Sequence, residues 1–129
     1  MTNPKRKITA ENLRQLPKPK VDALFKELGP VKLEELKHDW NFWARDNQLA
    51  PEGKDWNTWF INAGRGFGKT RSGVEWVREN VKSGVKRIAA VASTNSDIER
   101  VMVKGESGFL SVCWKGDKTH AGKKMGFPE

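Results

Sequence analysis

Residues 63–70 read Ala63-Gly64-Arg65-Gly66-Phe67-Gly68-Lys69-Thr70, a run in which glycines lead into a lysine and a hydroxyl residue. This is the phosphate-loop pattern with alanine in place of its first glycine. Glycines let the backbone turn tightly and aim its N–H groups at an anion, and a helix starting near Lys69 adds the positive end of its dipole. Phosphate oxygens are the natural guest. Lys69 would meet the β- and γ-phosphates as a point charge, and the Thr70 hydroxyl would be one ligand of Mg²⁺, whose other positions go to phosphates and water. The pattern therefore points to ATP and Mg²⁺, with Ala63, Gly64, Arg65, Gly66, Phe67, Gly68, Lys69, Thr70 and Arg71 as the binding set and Thr70 as the metal ligand. Arg65 and Lys69 are the candidate catalytic residues. An arginine swung towards the γ-phosphate stabilises transition-state charge, an effect worth roughly 10³ to 10⁵ in rate. The alternative for Arg65 is a solvent-facing side chain.

So short a pattern recurs by chance, and its specificity comes from a strand before it and a helix after it. Trp56, Thr58, Trp59, Phe60 and Ile61 favour a strand that runs into the glycines. Beyond the loop, Val74, Val77 and Val81 keep helical spacing until Ser83-Gly84, and Arg87 to Ala92 reads as a short strand buried on both sides. Ser96 with Glu99 matches a capping box, and Ile98, Val101 and Met102 supply the apolar face of one more short helix. Upstream, Val21, Leu24, Phe25 and Leu28 share a helical face that Gly29-Pro30 ends. Leu33, Leu36, Trp40 and Trp43 extend a second helix through Arg45. The expected fold class is α/β: a helical amino-terminal segment over 1–52, then a partial P-loop ATPase domain with a parallel-sheet core over 53–129.

Composition narrows the partners. The chain of 129 residues carries 24 Lys and Arg against 16 Asp and Glu, a formal charge of +8, which favours an anionic partner. Residues 1–20 hold six basic side chains, among them Lys5, Arg6 and Lys7, and read as a DNA-touching arm or a solvated tail. No apolar run approaches membrane-spanning length and no secretion signal opens the chain, so a cytoplasmic location is expected. Cys113 is alone, and His38 and His120 are far apart, which leaves no zinc-site spacing.

Several stretches around the loop resemble the large terminase subunits of tailed double-stranded DNA phages and the related subunits of gene transfer agents. They are Trp43-Ala-Arg-Asp-Asn-Gln48-Leu-Ala-Pro51, Asp55-Trp56-Asn-Thr-Trp59, Thr70-Arg71-Ser-Gly73-Val-Glu75-Trp76-Val77 and Met102-Val-Lys-Gly105-Glu-Ser107-Gly108. The resemblance implies an ATPase that drives double-stranded DNA into a prohead. Its partners would be a portal protein and a small terminase subunit, and the complete protein would form a homo-oligomeric ring that works in the host cytoplasm and transiently at the portal. It also implies that Gln48 sits near the adenine, where a helix-end glutamine is the rival reading, and that Arg65 is the loop residue that senses or activates ATP. Such motors need a further strand ending in aspartate and glutamate. None is legible here, so that strand and a nuclease domain are expected beyond Glu129, and this chain is expected to turn over ATP negligibly by itself.

Two other functions fit the same residues. One is another P-loop enzyme, a helicase, recombinase or small-molecule kinase; the other is a basic module whose glycine loop contacts nucleic-acid phosphates without ATPase activity.

Overall fold

Proline in a first turn and glycine at a break set the boundaries of the first helices. In the computed structural model, which describes residues 8–53 and 55–113, Thr9 caps a short helix α1 (Ala10–Arg14) by accepting from the Asn12 amide at 3.2 Å. Helix α2 (Lys18–Lys37) starts with Pro19 in its first turn, where a missing N–H costs nothing. It is two helices joined at Gly29, whose φ of 73° and ψ of 167° are not helical. The expected break at Gly29-Pro30 is thus a kink with helix on both sides. The second half ends at Lys37 and not at Arg45, because Asp39 caps a new helix α3 (Trp40–Trp43) by accepting from the Asn41 amide at 2.9 Å. The Trp43 indole N–H donates to the Leu36 carbonyl at 2.9 Å, tying α3 back to the end of α2. A 3₁₀ turn (Asp46–Gln48) follows.

The chain divides into two units, Met1–Leu49 and Ala50–Glu129. In the first, Leu13, Phe42 and Ala44 are buried, and Val21, Phe25, Leu33 and Leu36 line a common apolar cavity with Leu13 and Phe42. The apolar spacing read from the sequence does bring these faces together, yet α2 itself buries no residue.

The second unit is built on helix α4 (Lys69–Lys82), which buries Ser72, Val74, Glu75 and Arg78. It ends at Ser83 as the sequence indicates, with the Val85 amide bonded to the Asn80 carbonyl at 3.0 Å. After it come helix α5 (Asn95–Asp97), a π-helical segment (Ile98–Val103) and helix α6 (Phe109–Val112). The cap of α5 is Thr94 and not Ser96: its hydroxyl accepts from the Asp97 amide at 3.1 Å, while Glu99 pairs with Lys104 instead of closing a capping box.

The α/β class is overturned. Among the described residues there is no β-strand and no sheet, and the partial parallel-sheet P-loop core is not formed. Residues 56–61 and 87–92, which carry strand-favouring side chains, have no ladder partner among the described residues. Nor is the second of them buried on both sides, since Val91 is 80% exposed, as is Phe60 in the first. Strand propensity expresses fit to a pleated surface already made by neighbours, so without a neighbouring strand it leaves irregular chain. The basic residues Lys5, Arg6 and Lys7, together with His120 and the lysine- and glycine-rich end, lie outside the described residues. No helix among the described residues is long and apolar enough to cross a membrane.

Candidate functional site

The loop of residues 62–68 enters α4 directly, and its shape follows from two glycines. Gly66 has φ 80° and Gly68, the residue that caps α4, has φ 91°, values at which a side chain costs about 1–2 kcal/mol. Neither turn is open to the other residue types at ordinary cost. With Gly68 in this conformation its carbonyl still accepts the first helical bond, from Ser72 at 2.9 Å. The amides of Lys69 and Thr70 then have no acceptor within the helix, which is where an anion gains both hydrogen bonds and the dipole.

Lys69 folds back across the loop. Its ammonium donates to the Ala63 and Gly64 carbonyls, each at 2.8 Å. An ammonium has three protons, so two hold it at the loop and one remains for an incoming oxygen. This arrangement also shows how alanine substitutes for glycine at the start of the pattern: position 63 contributes a carbonyl, and its φ is not positive.

A cavity of about 400 Å³ opens beside the loop, within the range of about 300–1,000 Å³ common for small-ligand sites. One wall is residues 65–71; the other is Arg100, Val101, Gly105, Glu106 and Ser107. The structure therefore brings together Arg65, Gly66, Phe67, Gly68, Lys69, Thr70 and Arg71, with Ala63 and Gly64 joined to them through Lys69. A second cavity of about 600 Å³, which also has Lys69 and Thr70 in its lining, is mainly apolar, lined by Trp76, Val77, Ala90, Met102 and Phe109 among others.

Gln48 belongs to the first unit, where it is buried and its side-chain oxygen accepts from the Arg45 amide at 3.1 Å. Trp56 donates its indole N–H to the Pro51 carbonyl at 3.2 Å, a bond within its own loop.

Arg71, which lines the cavity, belongs to a charge cluster that helical spacing alone did not disclose. Glu75, fully buried, accepts from Arg71 (Nη2 at 2.7 Å, Nε at 2.9 Å) and from Arg78 (Nη1 at 2.9 Å), whose side chain is buried as well. Its carboxylate holds Arg71, three residues beyond the capping Gly68. The signal in the sequence is Arg71, Glu75 and Arg78 at i, i+4 and i+7, one face of a helix, next to the apolar spacing of Val74, Val77 and Val81. The Ser72 hydroxyl, also buried, has no hydrogen-bond partner among the described residues.

Arg100, Glu106 and Ser107 were missed as site residues for another reason. They lie on a separate element, and nothing in their local spacing says that they face the loop.

The donor set fits a magnesium polyphosphate. The described residues contain no group of three or more His, Cys, Asp or Glu that would cage a cation, whereas Thr70 lines the cavity and Mg²⁺ characteristically takes few protein ligands and completes its shell with phosphate and water. Compared with protein families, curated proteins and solved structures, the chain gives no match.

Proposed function

We propose that residues 63–71 bind the phosphate chain of ATP with Mg²⁺, and that this chain is the ATP-binding part of a DNA-packaging ATPase of the large terminase type. The observation that carries the nucleotide site is the Lys69 ammonium, held by the Ala63 and Gly64 carbonyls at the start of a 14-residue helix whose capping glycine has a positive φ. Glycines shape the loop, the helix amides and Lys69 take phosphate oxygens, and Thr70 holds the metal ion. Mg²⁺, when bound, neutralises charge on the phosphates and withdraws electrons from the bond that is hydrolysed. Arg65, exposed on the loop and lining the same cavity, is the side chain assigned to follow charge on the terminal phosphate. The packaging role rests on the terminase-like stretches that flank the loop, and with it come double-stranded DNA, the portal, the small subunit and a ring of copies in the host cytoplasm as the proposed setting.

The test is nucleotide affinity of the 129-residue chain and its Lys69→Ala variant, measured by calorimetry with Mg²⁺ present. Loss of one charge-assisted contact to phosphate is expected to weaken ATP binding by at least about tenfold. Equal affinity in the two proteins would remove the site assignment. Tight binding of duplex DNA that falls steeply with salt, together with no nucleotide binding, would favour the basic-module reading instead.

A further inference from the structure

The cavity beside the loop has a second wall, and that wall carries its own cation. Arg100 projects from the π-helical segment Ile98–Val103, an element unrelated to the loop in sequence, yet it lines the same cavity as Arg65, Lys69 and Arg71. Of these four cations, Arg71 is bound to Glu75 and Lys69 to two carbonyls. Arg65 and Arg100 are both exposed, and the side chain of neither forms an ion pair or hydrogen bond among the described residues; Arg65 belongs to the loop itself, whereas Arg100 comes from outside it.

The segment that presents Arg100 is closed tightly. The Lys104 amide bonds to the Glu99 carbonyl at 2.9 Å, the five-residue spacing of a π-turn, and the Lys104 ammonium pairs with the Glu99 carboxylate. A Cβ on Gly105 would lie 2.5 Å from the Val101 carbonyl oxygen and 3.0 Å from that of Arg100, so the chain after the turn packs against the turn itself with no room for a side chain. The Ser111 hydroxyl donates to the Gly105 carbonyl at 2.8 Å and anchors this corner to α6. Single π-turns inside helices occur disproportionately at functional sites.

Resting on the nucleotide reading above, in which Arg65 follows the terminal phosphate from within the loop, we infer that Arg100 adds a second donor to that phosphate from outside the loop, and that this contact makes the site prefer a nucleoside triphosphate to a diphosphate. The loop amides and Lys69 engage the phosphates that enter the helix end. What remains for the facing wall is the end of the chain, which carries the most charge and three non-bridging oxygens, the partner a guanidinium fork matches best. Glu106 on the same wall repels bare phosphate and favours a chain partly neutralised by Mg²⁺.

The test compares MgATP and MgADP binding to the full chain, Lys69→Ala, Arg100→Ala and Arg100→Lys, with inorganic tripolyphosphate as a third ligand and circular dichroism as a check on folding. Arg100→Ala is expected to weaken MgATP and tripolyphosphate by about tenfold and to leave MgADP within about twofold, while Lys69→Ala weakens both nucleotides. Arg100→Lys keeps the charge without the fork and is expected to recover only part of the loss. If Lys69→Ala weakens nucleotide binding while Arg100→Ala leaves the ratio of ATP to ADP affinity unchanged, the role of Arg100 is refuted and the site stands. No nucleotide binding by the unsubstituted chain would refute both. Loss of duplex DNA affinity in Arg100→Ala with nucleotide affinity intact would assign the side chain to nucleic acid and also overturn the inference.

Discussion

Helices α2 and α4 are held by different physics. The first runs for 20 residues, is kinked at Gly29 and buries none of its side chains. The second runs for 14, buries four, and two of the four are an acid and a base in contact. The charges of the first contribute little, since its ion pair Glu34–Lys37 stands in solvent, and what holds it is the half-buried apolar face of Val21, Phe25, Leu33 and Leu36. The second buries the Glu75 carboxylate, which the guanidinium groups of Arg71 and Arg78 solvate in place of water. Stability in unit 2 is thereby tied to the end of the helix that shapes the phosphate loop, through Arg71.

The largest effect that separates the two is expected at Glu75. Replacing it with alanine removes the carboxylate that the buried Arg78 and Arg71 both bind, and breaking a buried pair from one side costs about 3–5 kcal/mol. Chemical denaturation monitored by circular dichroism should show it. Glu79→Ala, one turn along the same helix but at an exposed pair with Lys82, should cost less than about 1 kcal/mol. Similar losses for the two variants would mean that burial at Glu75 confers no special dependence.

The next effect in size contrasts two glycines seven residues apart. Neither would bring an added Cβ within 4 Å of other atoms, so sterics do not distinguish them. Gly66 has φ +80°, and Gly66→Ala should destabilise the loop by about 1–2 kcal/mol and weaken phosphate binding with it. Gly73 is inside α4 with helical backbone, and Gly73→Ala should stabilise by about 0.4–1 kcal/mol. Opposite signs in parallel melts are the outcome expected; a common sign would break the argument that backbone conformation, and not space, makes residues 64–68 glycine-rich.

What the sequence disclosed follows the range of the forces involved. Helix boundaries set by local bonds were legible: the end of α4 at Ser83 and the break at Gly29 both stand where composition put them. The turn into α4 was legible for the same reason, since a positive φ at Gly66 and Gly68 and the reach of Lys69 to Ala63 and Gly64 all lie within seven residues. The two expected strands failed because pairing is not a local property; Phe60 and Val91 have the right side chains and no ladder partner among the described residues. Arg100 and Glu106 were invisible as site residues for a related reason, as their significance comes from facing a loop some 30 positions away.

The smallest effect concerns exposed carboxylates, and it separates two origins of a lowered pKa. Asp97 is held below the ordinary carboxylate value first by the Thr94 hydroxyl and then by that of Ser93, at 2.8 and 3.0 Å. Glu34 and Glu99 are lowered first by hydrogen bonds from Lys37 and Lys104 and then by the charge of the same lysines. In each case the folded value lies below the unfolded one of about 3.9 for Asp or 4.3 for Glu. The stabilisation is therefore complete above those values and lost as pH falls through the lower folded ones. Salt distinguishes the sources, because it screens a lysine but not a neutral hydroxyl. In NMR titrations repeated at low salt and at about 1 M, where the Debye length is about 3 Å, Glu34 and Glu99 should move back towards their ordinary values while Asp97 stays low. Were Asp97 to rise with them, the hydroxyl cap of α5 would not be what holds its charge, and the start of the segment that presents Arg100 would depend on longer-range electrostatics instead.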